Sequence, residues 1–532
     1  MKKLIIASVI LLALHNTICS EETTGLTPGN IYDGGFDDKF EELRDRQCGI
    51  TVLDIVEHLA TLSAPQLLQE NFYNYTNPIN VRPLVDLPSF QMSFFQLPFV
   101  PCEGGLSLQF FFNQMRDGYF TKCSPNLSSY LNLNVGSSLE NKDLDALLGT
   151  TLPEVFSLFS KMKIEERRVG AMIGGYKNFN NNWVSAIIPM YWLESNFFLS
   201  LKEQEAIQNQ PLFLNAGAGT DLDGEMAFGY QHLVSTKLGL GDLRLQIAHN
   251  FIMSNCSTIL PAFEVTLPTS HAFNGKRLNL WFGDSVLFGG QYCKMCCPPP
   301  FDIEQLVCLA AGTIQEQAQA KTLATNFFVG ALDRLTANLL DRPLGQEHTS
   351  LGPVVYYYRQ LTEYMALQAN IGFDYFIPRP ETRFFLVNKN SAEFARDYND
   401  PNTAQDNLNF LTEQMVNLLY PAVCNVRVHP GMVGKGSLAF WYKSPYFHGL
   451  VGYDFWYKTK EYITVPYATT LLLNIDRGLR PSAYQGKIFA KFFAYMPCVC
   501  NYLYLGVSMD ATVNNQGIGK DFTLSIDTVF RF

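Results

Sequence analysis

The chain closes on DFTLSIDTVFRF, Asp521 to Phe532. Every second residue from Phe522 belongs to one set: Phe522, Leu524, Ile526, Thr528, Phe530 and Phe532. The residues between are Asp521, Thr523, Ser525, Asp527, Val529 and Arg531. A strand places alternate residues on opposite faces, so this stretch predicts a strand with one greasy face and one polar face. Such a strand suits a position between oil and water. A chain terminus is ordinarily polar and frayed, and this ending is expected to be a fully paired strand instead.

The same alternation recurs upstream. Leu503, Leu505, Val507, Met509 and Ala511 oppose Tyr502, Tyr504, Ser508 and Asp510. Ile488, Ala490, Phe492 and Ala494 oppose Lys487 and Lys491, and Val451, Tyr453, Phe455 and Tyr457 oppose Asp454, Trp456 and Lys458. Met365 to Tyr375 alternates with Gln368, Asn370 and Asp374, and Leu243, Leu245 and Ile247 alternate with Arg244 and Gln246. Strands are also expected around Leu131 and Leu278, over Cys424 to Pro430 and over Thr464 to Asp476. Val169 to Tyr176, an Asn-rich turn, and Trp183 to Trp192 read as a hairpin. Most candidates run about 9 to 13 residues, the length of tilted membrane strands rather than of ordinary globular ones.

Composition agrees. Charged residues are 17% and aromatic residues 14%, with 41 Phe and 26 Tyr. The mean hydropathy is zero and no run of about 18 apolar residues follows the N-terminus, which argues against helical spans. A formal net charge of −10 argues against nucleic-acid binding. Residues 1–20 read as a secretory signal: Lys2 and Lys3, an apolar run from Leu4 to Leu14, and cleavage near Ser20. Residues 21–104 form an N-terminal segment with a short helix near 51–62 and are a candidate lumen plug. Residues 105–532 are assigned to the barrel, with helical insertions near 284–351 and 389–423.

The ending resembles the C-terminal strand of bacterial outer-membrane β-barrel proteins, which finishes on an aromatic residue with apolar residues at alternate positions before it. Leu524, Ile526, Phe530 and Phe532 occupy the matching places; a Gly often found partway along such strands is missing here. The resemblance implies a cleaved signal peptide, outer-membrane lipid as surroundings, recognition by the barrel-assembly machinery, and periplasmic termini. By strand counting, the turn at 514–519 and the 391–419 insertion fall outside the cell, whereas 293–340 falls on the periplasmic side.

The expected fold class is therefore all-β, a transmembrane antiparallel β-barrel of about 16 strands (range about 14 to 18) with helical insertions. A barrel of that size leaves an aqueous lumen, which implies diffusion of small hydrophilic solutes. Arg427, Asp454, Lys487, Lys491, Asp510 and Asp527 lie on polar faces and are the pore-lining candidates. Two other readings compete: a plugged transporter of hydrophobic compounds resembling the fatty-acid channel family, and a structural or adhesive surface barrel. Homo-oligomers are compatible with each.

Twelve cysteines in an exported chain make disulfides the expectation, with Cys293, Cys296, Cys297, Cys308, Cys498 and Cys500 as candidates. The Cys-x-x-Cys spacing at Cys293 also suits zinc, and the acidic loop 217–225 suits calcium, but an exported Cys/Pro loop and a solvated turn account for them. No nucleophile-elbow or cofactor pattern is present, so neither catalysis, nor a cofactor, nor a metal is expected.

Overall fold

The structure, a computed structural model, describes residues 80–91, 104–116, 163–179, 181–198, 234–254, 256–276, 342–385, 422–444, 446–464, 473–495 and 503–532, with isolated residues between 309 and 340. The signal region, the helix expected near 51–62, the strands expected at Leu131 and Leu278, the loop at 217–225 and all six disulfide candidates lie outside the described residues. Within 309–340 the described residues 314–316, 318–320, 322–323 and 339–340 are helical, whereas 386–421 lies outside the description.

Eighteen strands are described: β1 (Gly104–Arg116), β2 (Lys163–Phe179), β3 (Asn182–Phe198), β4 (Val234–Leu240), β5 (Leu243–His249), β6 (Phe251–Ser254), β7 (Ser257–Leu267), β8 (His271–Lys276), β9 (Ser350–Gln360), β10 (Met365–Phe376), β11 (Arg379–Phe385), β12 (Ala422–His429), β13 (Val433–Lys443), β14 (Phe447–Lys458), β15 (Tyr462–Thr464), β16 (Ala483–Tyr495), β17 (Leu503–Gln516) and β18 (Lys520–Arg531). All described pairings are antiparallel. β3 pairs with β5 over Asn182 to Ile187 and with β4 over Met190 to Asn196, so β4 and β5 act as one strand broken at Gly241 and Asp242. β7 and β8 extend each other in the same way against β5 and β4.

Twelve strands close the ring, in the order β1, β2, β3, β5, β7, β9, β10, β13, β14, β16, β17, β18 and back to β1. The closing seam runs in register from Gly105 opposite Arg531 to Arg116 opposite Lys520. Phe532 extends it, with two reciprocal backbone bonds to Gly104 at 2.8 and 3.0 Å. Closure leaves no bare edge around the ring, which a water-free surround requires.

The ring is smaller than the expected 16 strands for a local reason. β11, β12 and β15 form a separate three-stranded sheet in which β11 pairs with β12 and β12 with β15. They continue β10, β13 and β14 beyond short breaks at 377–378, 430–432 and 459–461. Of the strand expected over Thr464 to Asp476, residues 465–472 lie outside the described residues; β14 pairs directly with β16, and Asp476–Gly478 is a 3-10 turn.

One end of the ring carries the short connections at 180–181, 361–364 and 444–446, together with Phe532. The other carries the long connections 117–162, 199–233 and 277–349, the outer sheet, and the tight turn at 517–519. Gly517 supplies that turn's left-handed backbone at φ 65°. The 277–349 connection thus leaves from the same end as 386–421 and 517–519, contrary to the parity counted from the sequence, because that count included strands the ring does not contain.

The side-chain sense follows the alternation. On β18, Asp521, Thr523, Ser525, Asp527, Val529 and Arg531 are buried inside, and the Phe522 to Phe532 set faces out. Outward residues such as Ile526 (59% exposed), Ile371 (58%) and Leu106 (57%) form an apolar band on strands around the ring. A band so extensive far exceeds what a soluble surface tolerates and suits hydrocarbon.

Candidate functional site

The inside of the ring is charged and filled. Asn80 to Gln91, NVRPLVDLPSFQ, contains a 3-10 turn at Leu84–Asp86 and a short helix, α1, at Pro88–Gln91. Pro83 stands just before the 3-10 turn and Pro88 is the first residue of α1, positions where a missing N–H costs little. Asn80, Arg82, Leu84, Val85, Asp86, Leu87, Ser89 and Phe90 are each 4% exposed or less. Their partners come from strands around the ring, which places this segment within its interior.

One side of the segment is apolar. Leu84, Val85, Leu87 and Phe90 pack with inward Phe111 of β1, Met172 of β2, and Ile187, Tyr191 and Leu193 of β3. The rings of Phe90 and Phe111 meet edge to face with centroids 5.1 Å apart. The other side is polar. Asp86 reaches Arg244 of β5 at 2.5 Å and Lys435 of β13 at 3.6 Å. Lys435 in turn contacts Asp374 of β10 at 2.9 Å and Glu264 of β7. Arg82 pairs with Asp454 of β14 at 2.5 Å. Ser89 Oγ donates to Asp510 of β17 at 2.5 Å, and its carbonyl accepts from Gln109 of β1 and Lys491 of β16, both at 3.0 Å.

Beneath these contacts the wall pairs with itself. Lys487 lies 2.7 Å from both Asp510 and Asp521. Asp521 also accepts from Gln485 and Thr512 at 2.7 Å and from Asn113 at 3.1 Å. Lys491 pairs with Asp527 at 3.0 Å. Buried charges need such pairing and hydrogen bonding to be tolerated.

Five of the six pore-lining candidates are brought together here: Asp454, Lys487, Lys491, Asp510 and Asp527 face inward at 2% exposure or less. They stand in ion pairs rather than along an open water path. Arg427 does not join them. It lies on the exposed face of β12, whose other face buries Cys424, Val426 and Val428 with Phe385 and Ile463. In the outer sheet the apolar face is the buried one, so its polar face points to solvent and not into the ring.

Sequence reasoning missed Arg82, Asp86 and Ser89, since their stretch has no periodicity and contacts across the ring cannot be seen along the chain. Lys435 and Glu264 were also missed. Arg244 and Asp374 were visible only as polar members of alternating strands. At the mouth bearing the long connections, Arg383 of β11 joins Glu381 at 2.8 Å and Glu461 at 3.1 Å, and His348 also bonds Glu381. Burial alone would push the Glu381 carboxyl up, but Arg383, His348 and Arg480 outweigh it and hold it well below the usual carboxylate range. Among the described residues no cluster of His, Cys, Asp and Glu is arranged for a metal.

A closed antiparallel ring with an apolar outer band and a polar interior is the architecture of bacterial outer-membrane β-barrels, and this chain has it. No family model and no curated protein matches the chain. Among solved structures it is similar to an outer membrane channel from Pseudomonas putida F1 (10% identity, 85% of this chain and 100% of that one, TM-score 0.39). It is also similar to the toluene transporter TbuX of Ralstonia pickettii (8% identity, 87% and 99%, TM-score 0.30). The transport unit of the autotransporter AIDA-I from Escherichia coli is a third (6% identity, 85% and 100%, TM-score 0.32).

Proposed function

We propose that the protein is a non-catalytic outer-membrane channel that passes small, predominantly hydrophobic compounds through a lumen occupied by its own segment 80–91. The observation carrying this reading is that the segment seals Leu84, Leu87 and Phe90 against an apolar strip of the inner wall on β1 to β3. A general porin for hydrophilic solutes needs a wide water-filled path. A twelve-stranded ring whose charges are paired across the interior suits that poorly, and the apolar strip would be wasted in it. Displacing the segment exposes a greasy track flanked by fixed charges.

The end with short turns and Phe532 is read as periplasmic, and the end with long connections as external, since outer-membrane barrels distribute their loops in this way. The β18–β1 seam is the natural place for assembly-factor recognition, and the outer band contacts lipid. The test is paired. Proteoliposomes should take up a monoaromatic hydrocarbon faster than protein-free vesicles while swelling little in sugar solutions. Fast sugar swelling with no gain in hydrocarbon uptake would restore the porin reading.

A further inference from the structure

A recess opens at the external end of the lumen. It has a cavity volume of about 100 Å³ and opens to solvent, and it lies between residues 81–85, the inner faces of β2 and β3, and residues 342–348. Tyr191, Leu193, Leu344 and Phe376 supply apolar lining. Lys458 and Arg480 line the same recess.

The charges around these two cations do not balance. Glu381 and Glu461 are the nearby buried carboxylates, and Arg383 already bridges both. His348 takes a further position on Glu381. Arg480 approaches Glu381 only to 4.0 Å, beyond hydrogen-bond reach, and its Nε has no hydrogen-bond partner. Lys458 is 7% exposed, and no carboxylate among the described residues lies within salt-bridge distance of it. Its described contact is the Phe376 ring, 5.9 Å from Nζ to centroid. Two carboxylates therefore face three cations.

The other charged groups of the lining are occupied. Glu166 pairs with Arg168, Arg82 pairs with Asp454, and Asp242 accepts the Gln346 N–H at 2.5 Å. Arg342 donates to the Leu339 carbonyl at 3.5 Å, and Glu347 is exposed at the rim. A lysine that is nine-tenths buried with no carboxylate partner is costly to maintain, and an anion placed against Lys458 and Arg480 would offset that cost.

We propose that the recess binds a small organic monoanion, a carboxylate carried on an apolar body. The carboxylate accepts hydrogen bonds from Lys458 Nζ and the Arg480 guanidinium, and the body lies against Tyr191, Leu344 and Phe376. This names a ligand for the lumen of the proposed channel and rests on that reading only for onward passage, since binding is measured without transport.

The experiment is calorimetric titration of the refolded full-length protein in detergent with benzoate, with benzyl alcohol (a similar body without the charge) and with inorganic phosphate (charge without the body). Saturable benzoate binding is expected, at least tenfold tighter than either control. Lys458→Met and Arg480→Gln should each weaken it about tenfold or more, and Lys458→Arg should retain most of it. Heat-modifiable migration on gels confirms that each variant is folded; should Lys458→Met not fold, Arg480→Gln and Lys458→Arg decide the question. Equal affinity for benzyl alcohol, or no loss in the folded variants, overturns the proposal. Phosphate binding as tightly as benzoate overturns the organic ligand in favour of a plain anion site. Benzoate binding without hydrocarbon uptake leaves the site standing and removes the transport reading; uptake without benzoate binding does the reverse.

Discussion

If segment 80–91 closes the lumen by packing on the wall, loosening its apolar side should open the channel without dismantling the barrel. Leu87→Ala with Phe90→Ala is the direct perturbation. Leu87 is 0% and Phe90 1% exposed, and both sit in the cluster with Phe111, Met172, Ile187 and Tyr191. Truncating a fully buried Leu costs about 2 to 5 kcal/mol and a buried Phe about 3 to 5. The two side chains belong to one cluster, so their effects should not simply add. The Phe90 lower bound alone, about 3 kcal/mol, is then a floor, and the sum of the two lower bounds, about 5 kcal/mol, is the figure for independent sites. The backbone pairings of the ring are untouched, so most of this loss falls on the docking of the segment. At about 1.4 kcal/mol per decade, that is a shift of roughly two to three and a half orders of magnitude in the docked-to-undocked ratio.

Planar-bilayer recording reads this directly. Wild-type protein should show brief, rare openings, and the double variant frequent or sustained ones under the same conditions. Heat-modifiable migration of both proteins confirms equal folding. A folded, inserted variant with wild-type conductance would refute docking as the closing element. Continuous conductance by the wild type would refute closure itself.

Three further outcomes are expected. Lys487→Glu with Lys491→Glu should destabilise the barrel rather than retune ion preference, because it strips Asp510, Asp521 and Asp527 of their cations and breaking a buried pair costs about 3 to 5 kcal/mol each; an unchanged unfolding midpoint in heat-modifiability gels would contradict the pairing. Phe530→Ser with Phe532→Ser removes outward side chains worth only roughly 3 to 6 kcal/mol of burial, yet outer-membrane levels should fall sharply if the strand is also an assembly signal; normal levels in fractionated cells would reject that role. An epitope at Asn515 should be labelled on intact cells and one at Glu363 should not, with the opposite result inverting the orientation.

The ring strands near the C-terminus were legible because alternation fixes which residues share a face: β10, β14, β16 and β18 bury the polar sets read from the chain, and β17 buries Ser508 and Asp510. What alternation does not encode is which side of the sheet is wet. In β18 the buried set is Asp, Thr and Ser, whereas in β12 it is Cys424, Val426 and Val428. The two patterns are the same along the chain and opposite in space, so Arg427 was assigned to a lumen it does not reach. The strand count was too high for a related reason: a long strand broken at Pro430 reads as two, and only pairing shows that the piece before the break lies outside the ring.

The wall and the segment also complement each other in charge, and this admits a sharper test than loosening the apolar side. Asp454 projects inward from β14, and its ion-pair partner among the described residues is Arg82 of the segment. Without the segment, a carboxylate 1% exposed would need a new partner or water. The wall thus carries a charge whose partner comes from the segment. Removing either member alone leaves the other buried and unpaired, whereas removing both does not. In a double-mutant cycle, Arg82→Met and Asp454→Leu should each raise channel opening, and the double variant should open less than the product of the single effects requires. A coupling of about 1.5 kcal/mol or more, near tenfold in the docking equilibrium, is expected for a direct buried contact. Strict multiplicativity, in variants that fold and insert equally well, would mean that Arg82 and Asp454 do not meet in the closed channel.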